Sequence, residues 1–129
     1  MEKQFIETMF DIQGKVALVT GATGNLGKAV AEGYGLAGAK VMLTGRSEKK
    51  LEPLRKELAE KGIECAYAAG DPAVEEDVVR VVEETVREFG GIDILVTAAG
   101  MNAPKPILSQ TREEWEQIMD ANVLGTWLF

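Results

Sequence analysis

Residues 16–27 read Val16-Ala17-Leu18-Val19-Thr20-Gly21-Ala22-Thr23-Gly24-Asn25-Leu26-Gly27. The first five form an apolar run rich in β-branched residues, the signature of a strand buried on both faces. A glycine-rich turn follows at once, and from Leu26 to Ala37 the pattern is helical. Strand, tight turn and helix N-terminus together make a physical setting for an anion: glycine lets the backbone N–H groups approach phosphate oxygens, and the helix dipole favours negative charge. A pyrophosphate is therefore the expected ligand of Gly21, Thr23, Gly24, Asn25, Leu26 and Gly27. The spacing Gly21-x-x-Gly24-x-x-Gly27 differs from the commoner G-x-G-x-x-G, and a glycine-rich turn without a ligand is the other reading.

Outward from this stretch, strands alternate with helices. Strands are expected at Val16–Thr20, Lys40–Thr44, Glu64–Ala68 and Asp93–Thr97. Helices are expected at Leu26–Ala37, Ser47–Lys61, Ala73–Phe89 and Thr111–Asn122, the last restarting near Gly125. Val74, Val78, Val81, Val82, Thr85, Val86 and Phe89 recur at helical spacing and mark a core-facing stripe; Leu51, Leu54 and Leu58 mark a narrower one. Ser47 is placed to cap its helix, and Gly38 and Gly62 to stop theirs. Gly33 and Gly35 weaken the first helix by roughly 1 kcal/mol each relative to alanine, a cost that close packing on the sheet would explain at Gly33. The alternation predicts an α/β fold, a doubly wound parallel sheet in the order 3-2-1-4, with a ligand crevice where the order reverses between strands one and four.

The 129 residues fit one domain, and 46% hydrophobic with 27% charged residues describes an ordinary globular chain. A net charge of −7 argues against nucleic acid and anionic membrane surfaces as partners. No apolar run approaches the roughly 20 residues of a membrane span, and residues 1–13 lack the apolar core of a secretory signal. With no histidine and a single cysteine, Cys65, the chain offers no disulfide, no histidine-based acid–base chemistry and no expected metal site. A reducing, cytoplasmic compartment fits this usage, and Cys65 reads as inert core.

Four segments, in order, resemble the short-chain dehydrogenase/reductase family over nearly the whole chain. Thr20–Gly27 is similar to the family's T-G-x-x-x-G-x-G turn, with Gly24 and Asn25 giving a spacing closer to its longer, two-domain branch. Gly70-Asp71-Pro72 matches the aspartate after strand three, whose carboxylate in the family meets the adenine amino group; a solvated turn aspartate is the alternative. Asp93–Gly100 resembles D-x-L-V-N-N-A-G, but Thr97 and Ala98 replace both asparagines and remove the amides that brace the family's central sheet. Backbone at Ala98, Ala99 and Gly100 is left to meet the cofactor ribose. Trp115–Thr126 is similar to the helix carrying the family's catalytic asparagine, here Asn122, which holds a water in the proton relay; a capping or helix-bending asparagine is the alternative.

This resemblance implies a Rossmann-type NAD(P)-binding domain over residues 1–129, incomplete at its C-terminus and truncated after strand four and the following helix. At the end of strand two, Gly45 stands where NAD-preferring relatives carry aspartate, and Arg46 follows with a donor fork suited to phosphate. Arg46 and Ser47 thus favour NADP(H), with NAD(H) as the other cofactor; an Arg46 stacked on adenine is the competing role. The family's serine and Tyr-x-x-x-Lys pair have no match: Tyr34 is followed four residues later by Gly38, and Tyr67 by Asp71. The chain ends on the apolar Trp127-Leu128-Phe129. The expectation is the cofactor half, a fragment, of an oxidoreductase that moves hydride to or from a carbonyl or alcohol, sugar-acid or polyol in type. The whole protein would be a homo-oligomer with a small-molecule substrate. A non-catalytic nucleotide sensor and a two-domain sugar-nucleotide epimerase or reductase are the rival readings.

Overall fold

In a computed structural model, residues 2–129 are described. The elements are α1 (Glu2–Met9), β1 (Val16–Thr20), α2 (Asn25–Leu36), β2 (Lys40–Gly45), α3 (Glu48–Glu60), β3 (Cys65–Ala69), α4 (Glu75–Phe89) and β4 (Ile94–Thr97). A short 3-10 turn (Ile107–Ser109) leads into α5 (Arg112–Met119), a π-helical segment (Asp120–Leu124) and α6 (Gly125–Leu128). All strand pairs are parallel, and the sheet order is β3-β2-β1-β4, the Rossmann-type arrangement expected from the alternation.

The two central strands are covered on both faces, which is why they read as unbroken apolar runs. On one face Val19, Val41 and Leu43 pack with Ala31 of α2 and the Leu51, Leu54 and Leu58 stripe of α3. On the other, Leu18, Met42 and Ala68 pack with Val81 of α4, with Val82, Phe89 and Phe129 against them. Within the α4 stripe, Val78, Val81 and Thr85 are buried, and the Thr85 hydroxyl is satisfied by donating to the Val81 carbonyl at 2.7 Å. Val74 and Val86, expected in that stripe, are exposed instead.

Several local expectations change in the tertiary setting. Residues 1–13 carry no predicted element, yet Glu2–Met9 is helical, with Phe5 and Met9 exposed. Ser47 occupies the N-cap position of α3 without making a side-chain capping bond. α4 begins at Glu75, not Ala73, because the Asp71 carboxylate accepts from Ala73 N at 2.9 Å and holds residues 71–74 as a turn. Gly33 faces open space, whereas Gly35 is the close-packing position: a Cβ there would run into the Ile63 side chain. Gly38 and Gly62 follow α2 and α3 as stops. Cys65 is half-buried; its thiol donates to the Arg55 carbonyl at 3.4 Å, and desolvation pushes its pKa up. No helix among the described residues is long and apolar enough to cross a membrane.

Candidate functional site

The C-terminal ends of all four strands open into one cleft of about 220 Å³. Gly21, Thr23 and Gly24 line it after β1, Arg46 after β2, Asp71 and Pro72 after β3, and Ala98, Ala99 and Gly100 after β4. These nine predicted residues are brought together because a parallel sheet places every strand-to-helix turn on one edge, and the crevice opens where β1 separates β2 from β4. Asn25, Leu26, Gly27, Ser47 and Asn122 were predicted with them but do not line the cleft.

The three glycines of the turn have different duties. Gly21 has φ +61°, and a Cβ there would stand 2.5 Å from the Ala98 carbonyl oxygen; the residue must be glycine for the β1 and β4 turns to touch. At Gly27 an added Cβ would strike the Gly21 carbonyl oxygen, so this glycine sets the seating of α2 on its own turn. Gly24 is the N-cap of α2 with ordinary extended backbone (φ −78°, ψ 166°), so the glycine motif does not strain it. A Cβ at Gly24 would find only the Gly21 carbonyl oxygen, at 3.3 Å, and otherwise the open cleft. No side chain caps α2 and no acidic residue stands in its first turn, whereas α3, α4 and α5 each carry acids there. The orphan N–H groups of α2 are thus left for an external anion.

Opposite the turn, Arg46 is exposed and makes no hydrogen bond or ion pair among the described residues. Gly45 beside it has room for a side chain: an added Cβ would lie 3.9 Å from both Leu51 Cδ2 and Thr23 Oγ1. The β3 end is rigidly tied. Asp71 N donates to Asp77 Oδ2 at 2.8 Å, and Arg80 Nη2 donates to Asp77 Oδ1 at 3.1 Å and to the Ala69 carbonyl at 2.7 Å. The Asp71 amide and the Arg80 guanidinium, in that order, hold the Asp77 carboxyl below the usual carboxylate range.

The sequence also passed over residues that build the cleft. Thr20, Thr44, Gly70, Ala121 and Phe129 line it as well. Thr20 Oγ1 accepts from Ala99 N at 3.1 Å, and Asp93 Oδ2 accepts from Val16 N at 2.8 Å, so β1 and β4 are braced at both ends without the two family asparagines. Thr44 Oγ1 is buried with no hydrogen-bond partner among the described residues, a rare state for a buried hydroxyl. Because Thr20 and Thr44 close apolar runs, their polarity was the only signal available.

Asn122 sits in the π-helical segment, outside the cleft lining. Its Nδ2 donates to the carbonyls of Ile118 and Met101, both at 2.8 Å, and a Cβ added at Gly100 would stand only 2.5 Å from its Oδ1. The side chain thus spends its donors on a carbonyl one turn back in its own helix and on the loop after β4. Immediately beyond, buried Gly125 lets α6 approach Pro72: a Cβ there would stand 3.0 Å from the proline Cβ.

An uncapped helix N-terminus, a turn kept free of Cβ atoms and an unpaired arginine within one cleft suit a ligand with a pyrophosphate and a further anionic group. The family profile described as short chain dehydrogenase matches residues 15–129. Glucose 1-dehydrogenase of Gluconobacter oxydans is 41% identical over 116 residues, which cover 89% of this chain and 44% of that protein. A short-chain type dehydrogenase/reductase from Mycobacterium marinum superposes with a TM-score of 0.91 at 35% identity, covering 95% of this chain and 50% of that one. L-sorbose reductase from Gluconobacter frateurii, solved with NADPH and L-sorbose, superposes with a TM-score of 0.85 at 34% identity over 92% of this chain and 46% of that one. The chain spans about half the length of the curated relatives it matches. With the profile covering all but the first 14 residues, and with the sheet order and glycine turn that such a fold requires, this chain belongs to the short-chain dehydrogenase/reductase family.

Proposed function

We propose that residues 1–129 form the NADP(H)-binding part of an oxidoreductase that interconverts a carbonyl and an alcohol. When bound, the nicotinamide cofactor supplies or accepts the hydride. This chain's own residues do the holding. The Gly21–Gly27 turn and the α2 N-terminus take the pyrophosphate, Arg46 takes the 2′-phosphate with Ser47 beside it, and Asp71 accepts from the adenine amino group. Backbone at Ala98–Gly100 lies along the ribose, and Asn122 serves the proton relay from the π-helical segment. A sugar-acid or polyol substrate accords with the relatives named glucose 1-dehydrogenase and L-sorbose reductase.

The observation that carries the NADP assignment is the Arg46 guanidinium, unpaired in a cleft whose neighbouring position, Gly45, presents no carboxylate. Titration with NADPH and NADH tests it. Arg46→Ala should weaken NADPH binding by about tenfold to a hundredfold, the loss expected of a charge-assisted phosphate contact, and leave NADH unchanged. Equal losses for both would mean that Arg46 stacks on adenine. Gly45→Asp should fold normally, given the space there, and swing preference towards NADH by repelling the 2′-phosphate.

Purified 129-residue protein should bind cofactor yet turn over no alcohol. Neither tyrosine has a lysine four residues on, and Tyr67 donates to Glu48 Oε1 at 3.3 Å, with burial and then Glu48 pushing its pKa up, away from the working range. Cofactor-linked absorbance change at a rate typical of an enzyme would overturn this.

A further inference from the structure

The sheet has two outer strands, β3 and β4, and each leaves one edge unpaired among the described residues. The groups that β3 turns outward follow from its ladder. Val41 N donates to the Glu64 carbonyl at 2.9 Å and Gly70 N to the Gly45 carbonyl at 2.9 Å, so Glu64, Ala66, Ala68 and Gly70 face β2. Cys65, Tyr67 and Ala69 therefore present their backbone groups to the free edge. Such an edge is a template for a strand from another chain, and the β4 edge is a strand that every copy brings. Pairing of β3 in one copy with β4 in the next is a heterologous contact, which leaves a fresh edge at each addition and grows without closing.

The two edges are not equally open. Arg80 Nη2, reaching over from α4, donates to the Ala69 carbonyl at 2.7 Å and takes the last outward acceptor of β3. Two carboxylates hold the guanidinium there: Asp77 Oδ1 lies 3.1 Å from the same nitrogen, and Glu84 Oε1 lies 3.4 Å from Nη1. Glu84, Arg87 and Glu88 also line a hollow of about 190 Å³ with Met42, Ala66 and Tyr67, so charge flanks the edge next to Arg80. β4 has no such guard: among the described residues, no side chain hydrogen-bonds a carbonyl of Ile94–Thr97.

We propose that Arg80 closes the outer edge of β3 to strand addition by a second copy of this chain, and so keeps association from becoming open-ended. An incoming strand needs the Ala69 carbonyl as an acceptor and the space beside it, and the guanidinium holds both. Charge alone predicts the opposite sign. Losing Arg80 removes a cation from a chain of net charge −7 and uncovers Asp77 and Glu84, which adds repulsion between copies. Stronger association without Arg80 therefore reports the freed edge.

Sedimentation velocity on the whole 129-residue chain, with reductant present to keep Cys65 a thiol, tests this. The background is Leu95→Lys with Trp127→Lys, which charges β4 and the exposed end of α6 and leaves β3 as the edge free to join. Adding Arg80→Ala should raise the weight-average mass over that background about twofold, the step from one copy to a closed pair. Hydrogen exchange at the Cys65 and Tyr67 amides should slow as the mass rises, because those N–H groups face the edge that fills. Arg80→Lys keeps the charge but offers one nitrogen to three acceptors; it should give a smaller rise, and it answers the question if Arg80→Ala does not fold. A folded variant that stays at the background mass overturns the proposal, and so does a rise in mass that leaves both amides exchanging as before.

Discussion

Gly27→Ala is expected to destabilise the fold strongly, whereas the bulkier Gly24→Val should leave it intact and abolish cofactor binding. At Gly27 the new methyl meets the carbonyl of Gly21, which cannot rotate away as a side chain would. Relief requires α2 to lift from the turn, and α2 carries Ala31 in the core. The loss should lie at or above the upper end of the roughly 1–3 kcal/mol that overpacking costs, a large share of a small domain's stability. Gly21→Ala should be as harmful, adding a left-handed backbone penalty of about 1–2 kcal/mol to a clash with Ala98. Gly24 lies in an extended conformation that valine adopts, with its free side towards the cleft. Urea midpoints followed by far-UV circular dichroism, with NADPH titration of whatever remains folded, separate the cases. A Gly24→Val protein that binds NADPH normally would show that this turn does not touch the phosphates.

The isolated chain is expected to self-associate at micromolar concentration. Among the described residues β4 pairs only with β1, so its other edge presents unpaired backbone groups along Ile94–Thr97, and Leu95 on that strand is 42% exposed. Further along, Trp115 is 53% exposed, Val123 52% and Trp127 78%. Single exposed apolar residues are ordinary, but an open strand edge together with large exposed side chains favours association between copies. The net charge of −7 opposes it only in part, because salt screens charge and does not weaken apolar contact. Sedimentation velocity should show mass rising with concentration, and Leu95→Lys with Trp127→Lys should reverse it. A sharply melting monomer across that range would refute the expectation.

Much of this fold was legible in the chain because its signals are local. Val16–Thr20 and Lys40–Gly45 are buried on both faces, so burial wrote itself into unbroken apolar runs. The strand–turn–helix alternation then fixed a parallel sheet, and a parallel sheet gathers its turns at one edge. Gly21, Thr23 and Gly24 followed from that pattern and Arg46 from the end of strand two, whereas Asp71, Pro72, Ala98, Ala99 and Gly100 came from the family resemblance. The helix starts and ends held less well. Ser47 is in place to cap and does not, and α4 starts late because Asp71 builds a turn of its own.

What the tertiary structure decided is which residue answers for which contact. Sequence spacing treats Gly21, Gly24 and Gly27 alike and cannot separate Gly33 from Gly35. Only the approach of Ala98, of the Gly21 carbonyl and of Ile63 shows which of them can bear no side chain. The brace from Thr20 to Ala99 joins residues 79 positions apart, and Asn122 reaches back 21 positions to Met101. The Asp77 carboxylate, in the first turn of α4, accepts from the Asp71 amide, a contact that no hydrophobic pattern marks. Hydrophobic periodicity reports whether a residue is buried, and it does so within a few residues along the chain. Hydrogen bonds and steric contacts depend on distances that only the packed sheet and its helices set.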